Sequence, residues 1–391
     1  MSQTESSKKF FFYSLCVFFA ASTASIALQN LIWFPVLVLA WFHFKNKPRG
    51  SIRLDLFAAW TLGWVLTFYL GALLGVNPLQ SLETVHRYLT ILLILFVGSM
   101  GMGVLETQKL LKCFTWGTVF CAIFGIGKHL FLHQDRIDSF SGDKMVFGGL
   151  LMTALLIQTG SLMNRPKDWL TWIGFGLNGW ALLLTETRGA WVGLLAGFLL
   201  LGWRFNRRWL LAGLGVVLVG YFFLPADIQE RVKSITRLDI SYNENHEIGD
   251  SSQTRVLIWI TGIKIIKDHP LGIGQGNIGE IFPAYKMKAL EEPTVPHLHD
   301  NFLQIAVQNG WLGLAVYLGW IGCYFFYAFK YQGRATMDRE LNWTLACCFL
   351  GALVWGLTEF TFSQQFMYLQ YSLLGLHWGL WKCEKDTFSK A

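Results

Sequence analysis

The 391 residues are 53% hydrophobic and 15% charged, and the formal net charge is +7. A soluble domain carries about 25% charged residues, so water is not the main solvent of this chain. Its apolar runs are too long and too little alternating for the strands of a β-barrel. The basic residues recur in short loops along the chain, which orients a membrane protein and is not a nucleic-acid footprint.

Spans are predicted at 10–28, 30–44, 54–75, 88–105, 111–132, 145–163, 168–185, 189–203, 208–225, 301–329, 341–361 and 364–381. Each approaches the roughly 20 apolar residues with which a helix crosses a bilayer while satisfying its own backbone. The first run lacks a small-residue cleavage site followed by a soluble domain, so it reads as a retained span. Lys8 and Lys9 precede the first span, and Lys45, Lys47, Arg49 and Arg53 follow the second. Lys109 and Lys112, Arg165 and Lys167, Arg204 to Arg208, then Lys330 to Arg339 follow the fourth, sixth, eighth and tenth. Every second loop is therefore basic, which predicts cytoplasmic termini. The fold expected is an all-α polytopic membrane protein of about 12 transmembrane helices. Residues 1–225 hold nine of them, 226–300 form one large extracytoplasmic loop, and 301–391 hold three and a cytoplasmic tail. None of the seven cysteines falls in a predicted outer loop, which argues against a disulfide framework.

Within the long loop, Ser251 or Ser252 can cap a helix running to about Asp268. Val256, Leu257, Ile260, Ile263 and Ile266 give it an apolar stripe, so it is expected to lie on the membrane surface. His269-Pro270 ends it, and the literal pattern Gly274-x-Gly276-x-x-Gly279 follows. A dinucleotide fingerprint needs a preceding parallel strand, which is missing here, so a turn with close packing is the expected role.

Four places can carry chemistry. Arg188, in Thr185-Glu186-Thr187-Arg188-Gly189, stands at an outer helix junction, either paired with Glu186 or as a planar fork for phosphate oxygens. Arg255 sits in the first turn of the loop helix, where the macrodipole disfavours a cation. It is either an exposed arginine or part of an anion site. His297-Leu298-His299-Asp300-Asn301 leads into the tenth span and allows a general base, a helix cap or a metal site. Base and cap are compatible, whereas a metal would need further ligands and none is evident. Glu359 near the outer end of a span can orient a histidine, balance an arginine or stand solvated at the interface.

Taken together, TETRGAW, TRVLIW-x-x-G with HPLGIGQGN, and HLHDNFLQIAVQNGWLGL resemble the O-antigen ligase family, which shares its core with the O-antigen polymerases. The resemblance covers about residues 136–330, and the rest by topology. It implies an enzyme on the periplasmic face of the bacterial inner membrane, using no cofactor and no metal. Such an enzyme moves a glycan with inversion from undecaprenyl diphosphate to the lipid A core. Its partners are that lipid-linked donor, the core acceptor and membrane lipid, with no nucleic acid. By the same resemblance Arg188 and Arg255 bind the donor diphosphate and His299 activates the acceptor hydroxyl. Asp300 stands where the family usually has asparagine. The stretch RIDSFSGDKMVFGG makes Arg136 and Lys144 further candidate substrate contacts, beside His297 and Glu359. A polymerase using the same donor is the nearest alternative. A lipid-linked glycan flippase is the alternative from another class, and it would place charges near mid-membrane.

Overall fold

The computed structural model describes residues 3–32, 36, 38, 55–205, 211, 229, 251–288, 290, 294–331, 336–362 and 364–388. Among these residues the fold is helical, with no strand. The helices are α1 (Gln3–Ala21), α2 (Leu56–Leu74), α3 (Pro78–Val85), α4 (Leu93–Gly98), α5 (Val104–Leu132), α6 (Lys144–Asn164) and α7 (Trp169–Thr185). They continue with α8 (Arg188–Phe205), α9 (Ser251–Asp268), α10 (Ile278–Tyr285), α11 (Asn301–Lys330), α12 (Thr336–Trp355) and α13 (Gln364–Phe388). Short side chains that accept from the free amides of the first turn start several of them: Asp55 for α2, Asn77 with Pro78 for α3, Asp143 for α6, Asp168 for α7 and Asp300 for α11.

Among the described residues, five helical segments are long and apolar enough to cross a membrane: Leu56–Leu74, Pro78–Gly98, Val104–Leu132, Lys144–Asn164 and Asn301–Lys330. These match predicted spans, with two displacements. Val104–Leu132 starts seven residues before the span expected at 111–132 and takes Lys109 and Lys112 into the helix. The span expected at 88–105 begins at Pro78, because Asn77-Pro78 is a helix start, and it ends before Gly101, whose φ of +66° breaks the helix. The runs at 168–185, 189–203, 341–361 and 364–381 fall on α7, α8, α12 and α13. Of these, α12 stops at Trp355, and residues 356–361 form a turn instead. The first span ends early, at Ala21. Most of the span expected at 30–44, that at 208–225 and the polar half of the loop, 230–250, lie outside the described residues.

The bundle is tightened by small residues. In α8, a Cβ on Gly193 would meet the Gly351 carbonyl of α12 at 2.5 Å, and one on Gly197 would meet Leu156 of α6 at 2.7 Å. Such close approach is how helices gain contact where water supplies no drive. The loop helix α9 differs from expectation. Its Leu257, Ile258, Ile265 and Ile266 are buried in a small core with Phe282, Leu298, Ala306 and Val307, while Ile263 faces outward. Of the expected stripe, protein buries Leu257 and Ile266, while Val256 and Ile260 are partly exposed, so the buried face is turned toward Ile258 and Ile265 and packs on α11.

The glycine-rich segment after α9 completes that core. Helix α11 is kinked at Gly310, with φ +70° and ψ −176°, which frees the carbonyls one turn earlier. Ile273 donates its N–H to Val307 O at 2.9 Å, Gly274 to Gln308 O at 3.0 Å, and Trp311 to Pro270 O at 3.1 Å. Gly272, Gly274 and Gly276 all have φ above +80°. The turn-and-packing role expected of Gly274 and Gly276 is what the fold displays, whereas Gly279 lies in the first turn of α10. A Cβ on Gly310 would lie 2.5 Å from the Leu271 carbonyl carbon, on backbone that has nowhere to go. Gly310→Ala is expected to cost at least about 2 kcal/mol of stability, read as a lower thermal midpoint in detergent. Gly127→Ala, on an α5 position with open space, should be neutral or slightly stabilising.

Candidate active site

The start of α11 is clasped to the turn after α12. Asn301 donates from its backbone N–H to Gly356 O at 2.7 Å and from Nδ2 to Thr361 Oγ1 at 2.6 Å. Its Oδ1 accepts from the Thr361 N–H at 3.0 Å. Asp300 caps the helix through the Leu303 N–H at 2.7 Å, and Gln304 Oε1 accepts from the Leu298 N–H at 2.9 Å. These bonds fix residues 297–300 as a tight hook in which His299 takes a left-handed φ of +52°. Asp300 is thus spent on capping, and burial pushes its carboxyl upward against the bonds from the Leu303 and Phe302 amides.

The hook delivers His299 to Glu359. The His299 Nδ1 lies 2.7 Å from Glu359 Oε1, and the Phe360 N–H donates to the same oxygen at 3.1 Å. Arg255, from the first turns of α9, donates from Nη2 to Glu359 Oε2 at 2.8 Å. Burial alone would raise the Glu359 carboxyl. The hydrogen bond from His299, the charges of Arg255 and His299 and the Phe360 amide outweigh it and hold the carboxyl below its ordinary value. An ionised carboxylate only accepts, so Nδ1 of the imidazole carries a proton, and in the neutral ring the lone pair is then on Nε2. His299 remains 27% exposed at its side chain against 6% for Glu359, so the histidine is reachable and the acid is behind it.

The His297 ring lies against that of His299, with centroids 4.3 Å apart and the planes tilted by 39°, and meets the edge of Phe360 at 4.8 Å. Its Nδ1 is buried with no hydrogen-bond partner among the described residues. His297, His299 and Glu359 each offer a ligand atom, and these lie within 4.8 Å of one another. That spacing suits an ion, but Arg255 already occupies the shared carboxylate, and its charge opposes a second cation.

The other predicted cations border this site. Arg188 opens α8, partly buried, and a Cβ on the next residue, Gly189, would meet Trp355 at the end of α12 at 2.6 Å and Thr358 of the turn that carries Glu359 at 2.8 Å. Arg136 donates from Nε and Nη2 to Thr185 O at 3.2 and 3.1 Å and lies 3.4 Å from Glu186 Oε2, bracing the turn that presents Arg188. Lys144 begins α6, and its carbonyl accepts from Thr187 Oγ1 at 3.3 Å. Arg255, His299, His297 and Glu359 are therefore in one contact set, and Arg136, Lys144 and Arg188 are gathered around the neighbouring turn. Sequence reasoning gave Asn301 no role. Its position just inside the capped helix, next to two histidines, was the signal available.

The pH response of the hook follows from His297. Burial, then the neighbouring His299 and Arg255, push its imidazole down to about 4 from 6.5, against the opposite pull of Glu359. The unfolded chain takes up a proton near 6.5 and the folded chain only near 4. This stability is therefore complete above pH 6.5 and lost as pH falls through that window. The thermal midpoint of the wild type should fall from pH 6.5 to 4 more steeply than that of His297→Asn. Parallel curves would contradict the assignment.

With the geometry in place, comparison with known proteins adds the family. No curated protein matches the chain. The family model described as O-antigen ligase matches residues 173–318. That segment contains Arg188, Arg255 and His299 and stops short of Glu359. The family indicates ligase- or polymerase-like activity on lipid-linked glycans, and with the apolar helices it points to a multi-pass membrane protein. Over residues 173–318 the chain is therefore similar to the O-antigen ligase family.

Proposed function

We propose that the chain is a periplasmic-face glycosyltransferase that moves O-antigen glycan from undecaprenyl diphosphate to a sugar hydroxyl of the lipid A core, with inversion and without a metal. The observation that carries this reading is the Glu359 carboxylate shared between His299 and Arg255. With Nδ1 tied to Glu359, His299 takes the acceptor hydroxyl proton on Nε2 as the oxygen attacks the anomeric carbon. The bond to the diphosphate oxygen breaks on the opposite face, and the leaving group departs with the electron pair. Glu359 stabilises the imidazolium that forms, as an orienting carboxylate does in a hydrolase triad.

Arg188 and Arg255 receive the diphosphate, and fixed guanidinium charge takes the place a divalent ion has in other phosphate chemistry. Arg255 spends one nitrogen on Glu359 and has further N–H groups to offer. In this reading Arg136 holds the Arg188 turn, Lys144 faces the substrate from the start of α6, and His297 supports His299. The same reading keeps twelve spans in the inner membrane, cytoplasmic termini and residues 226–300 in the periplasm. Gathering of the candidate groups at one end of the bundle favours surface chemistry over transport. A polymerase would use the same donor with a second lipid-linked glycan as acceptor.

The test is transfer from a lipid-linked donor to lipid A core by purified protein. His299→Ala should lower turnover by about 10²–10⁴-fold with donor binding kept, and His297→Ala should be milder. Arg188→Lys and Arg255→Lys should each impair transfer substantially, because lysine lacks the planar fork. Chelator should have no effect. Full turnover by His299→Ala, or chelator inhibition reversed by a divalent ion, would sink the mechanism. Transfer only to a lipid-linked acceptor would make the enzyme a polymerase.

A further inference from the structure

A second site lies at the far end of the bundle and does not depend on the proposed reaction. The histidine hook is at the N-terminal end of α6 and the C-terminal end of α12, whereas a cavity of about 450 Å³ lies at their other ends. The 21 residues of α6 separate the two, about 30 Å at 1.5 Å per residue. Four helices wall the cavity: Lys112 and Trp116 come from α5, Gln158 from α6 with Arg165 just past it, Asp168 from the cap of α7, and Glu340 from α12. Its volume is in the range of small-molecule sites.

The charges inside it are ordered. Lys112 and Arg165 are exposed at the mouth. Asp168 is already committed, accepting from Thr171 N and Thr171 Oγ1 at 3.2 and 2.9 Å. Glu340 is 9% exposed, and its Oε2 has no hydrogen-bond partner among the described residues. A buried acceptor left unmade is costly, and a donor-rich cation relieves it. From the mouth, Trp116, Phe120, Ile123 and Phe124 run up the outer face of α5 at helical spacing and are exposed. The cavity thus offers cations outside, an unmet carboxylate inside and an apolar track along the bilayer.

The geometry points to a binding site for a phospholipid whose headgroup ends in a primary ammonium, with its phosphate at Lys112 and Arg165, its ammonium on Glu340 and an acyl chain along α5. Phosphate and ammonium stand two carbons apart in such a headgroup, so it carries the two charges that the exposed cations and the buried carboxylate call for. A trimethylated ammonium has no N–H to give Glu340, and a glycerol headgroup carries no positive charge.

Native mass spectrometry of the full-length protein, equilibrated with equal amounts of phosphatidylethanolamine, phosphatidylcholine and phosphatidylglycerol of identical chains, tests this. Retention of the ethanolamine lipid is expected at about tenfold over the choline lipid, the worth of one charge-assisted hydrogen bond. Glu340→Gln should bring that ratio close to one, and Lys112→Ala should weaken all three lipids alike. Transfer activity of Glu340→Gln should stay near wild type, since the reacting groups are remote. Equal retention of the three lipids by the wild type overturns the proposal even if a variant fails to fold, as does a preference that survives Glu340→Gln. Water-soluble phosphoethanolamine that displaces the lipid on equal terms would assign the cavity to a free solute instead, and overturn the lipid claim.

Discussion

One buried carboxylate organises the candidate site of this protein. Glu359 is 5% exposed, and a charge so placed is tolerated only when it is paired and hydrogen-bonded. Its two oxygens receive an imidazole, a guanidinium and a backbone amide. Those partners come from α9, the hook before α11 and the turn after α12. Satisfying Glu359 therefore requires three distant stretches of chain to be in register. Loss of any partner leaves a charge stranded away from water, so the site is coupled to the packing around it.

The register is set by two backbone devices. The Asn301–Thr361 pair of hydrogen bonds joins the start of α11 to the Glu359 turn. Farther along, the kink at Gly310 opens α11 so that the glycine-rich segment can hydrogen-bond to it, which anchors α9 and hence Arg255. The glycines are needed because the chain passes with left-handed φ within contact of another backbone. A sequence motif that looks like a nucleotide loop thus serves as a brace between a loop helix and a membrane helix.

Much of the helical frame was legible because apolar run length carries the signal. Lys144–Asn164 and Asn301–Lys330 fall within a residue or so of the spans expected. Errors arose where a local break competes with hydropathy. The Asn77-Pro78 start moved one span, and the apolar but turning stretch after Trp355 was absorbed into another. At the site, the motifs singled out His299, Arg255 and Arg188, and Glu359 was read as an acid that orients a histidine, balances an arginine or stands solvated. Which of these holds was not legible, since Glu359 lies 60 residues from His299 and 104 from Arg255, and the fold shows it doing the first two at once. The likeness of the matched segment to a family suggested the chemistry, and the fold supplied the acid that holds Nδ1 of the histidine.

If Glu359 acts through His299, the two side chains work as a unit, and removing both should cost no more than removing the histidine. A double-mutant cycle on glycan transfer, with Glu359→Gln, His299→Ala and the double variant, measures this coupling directly. The account predicts that each single variant is slow and that the double variant turns over as His299→Ala does. Losses that multiply independently would contradict it.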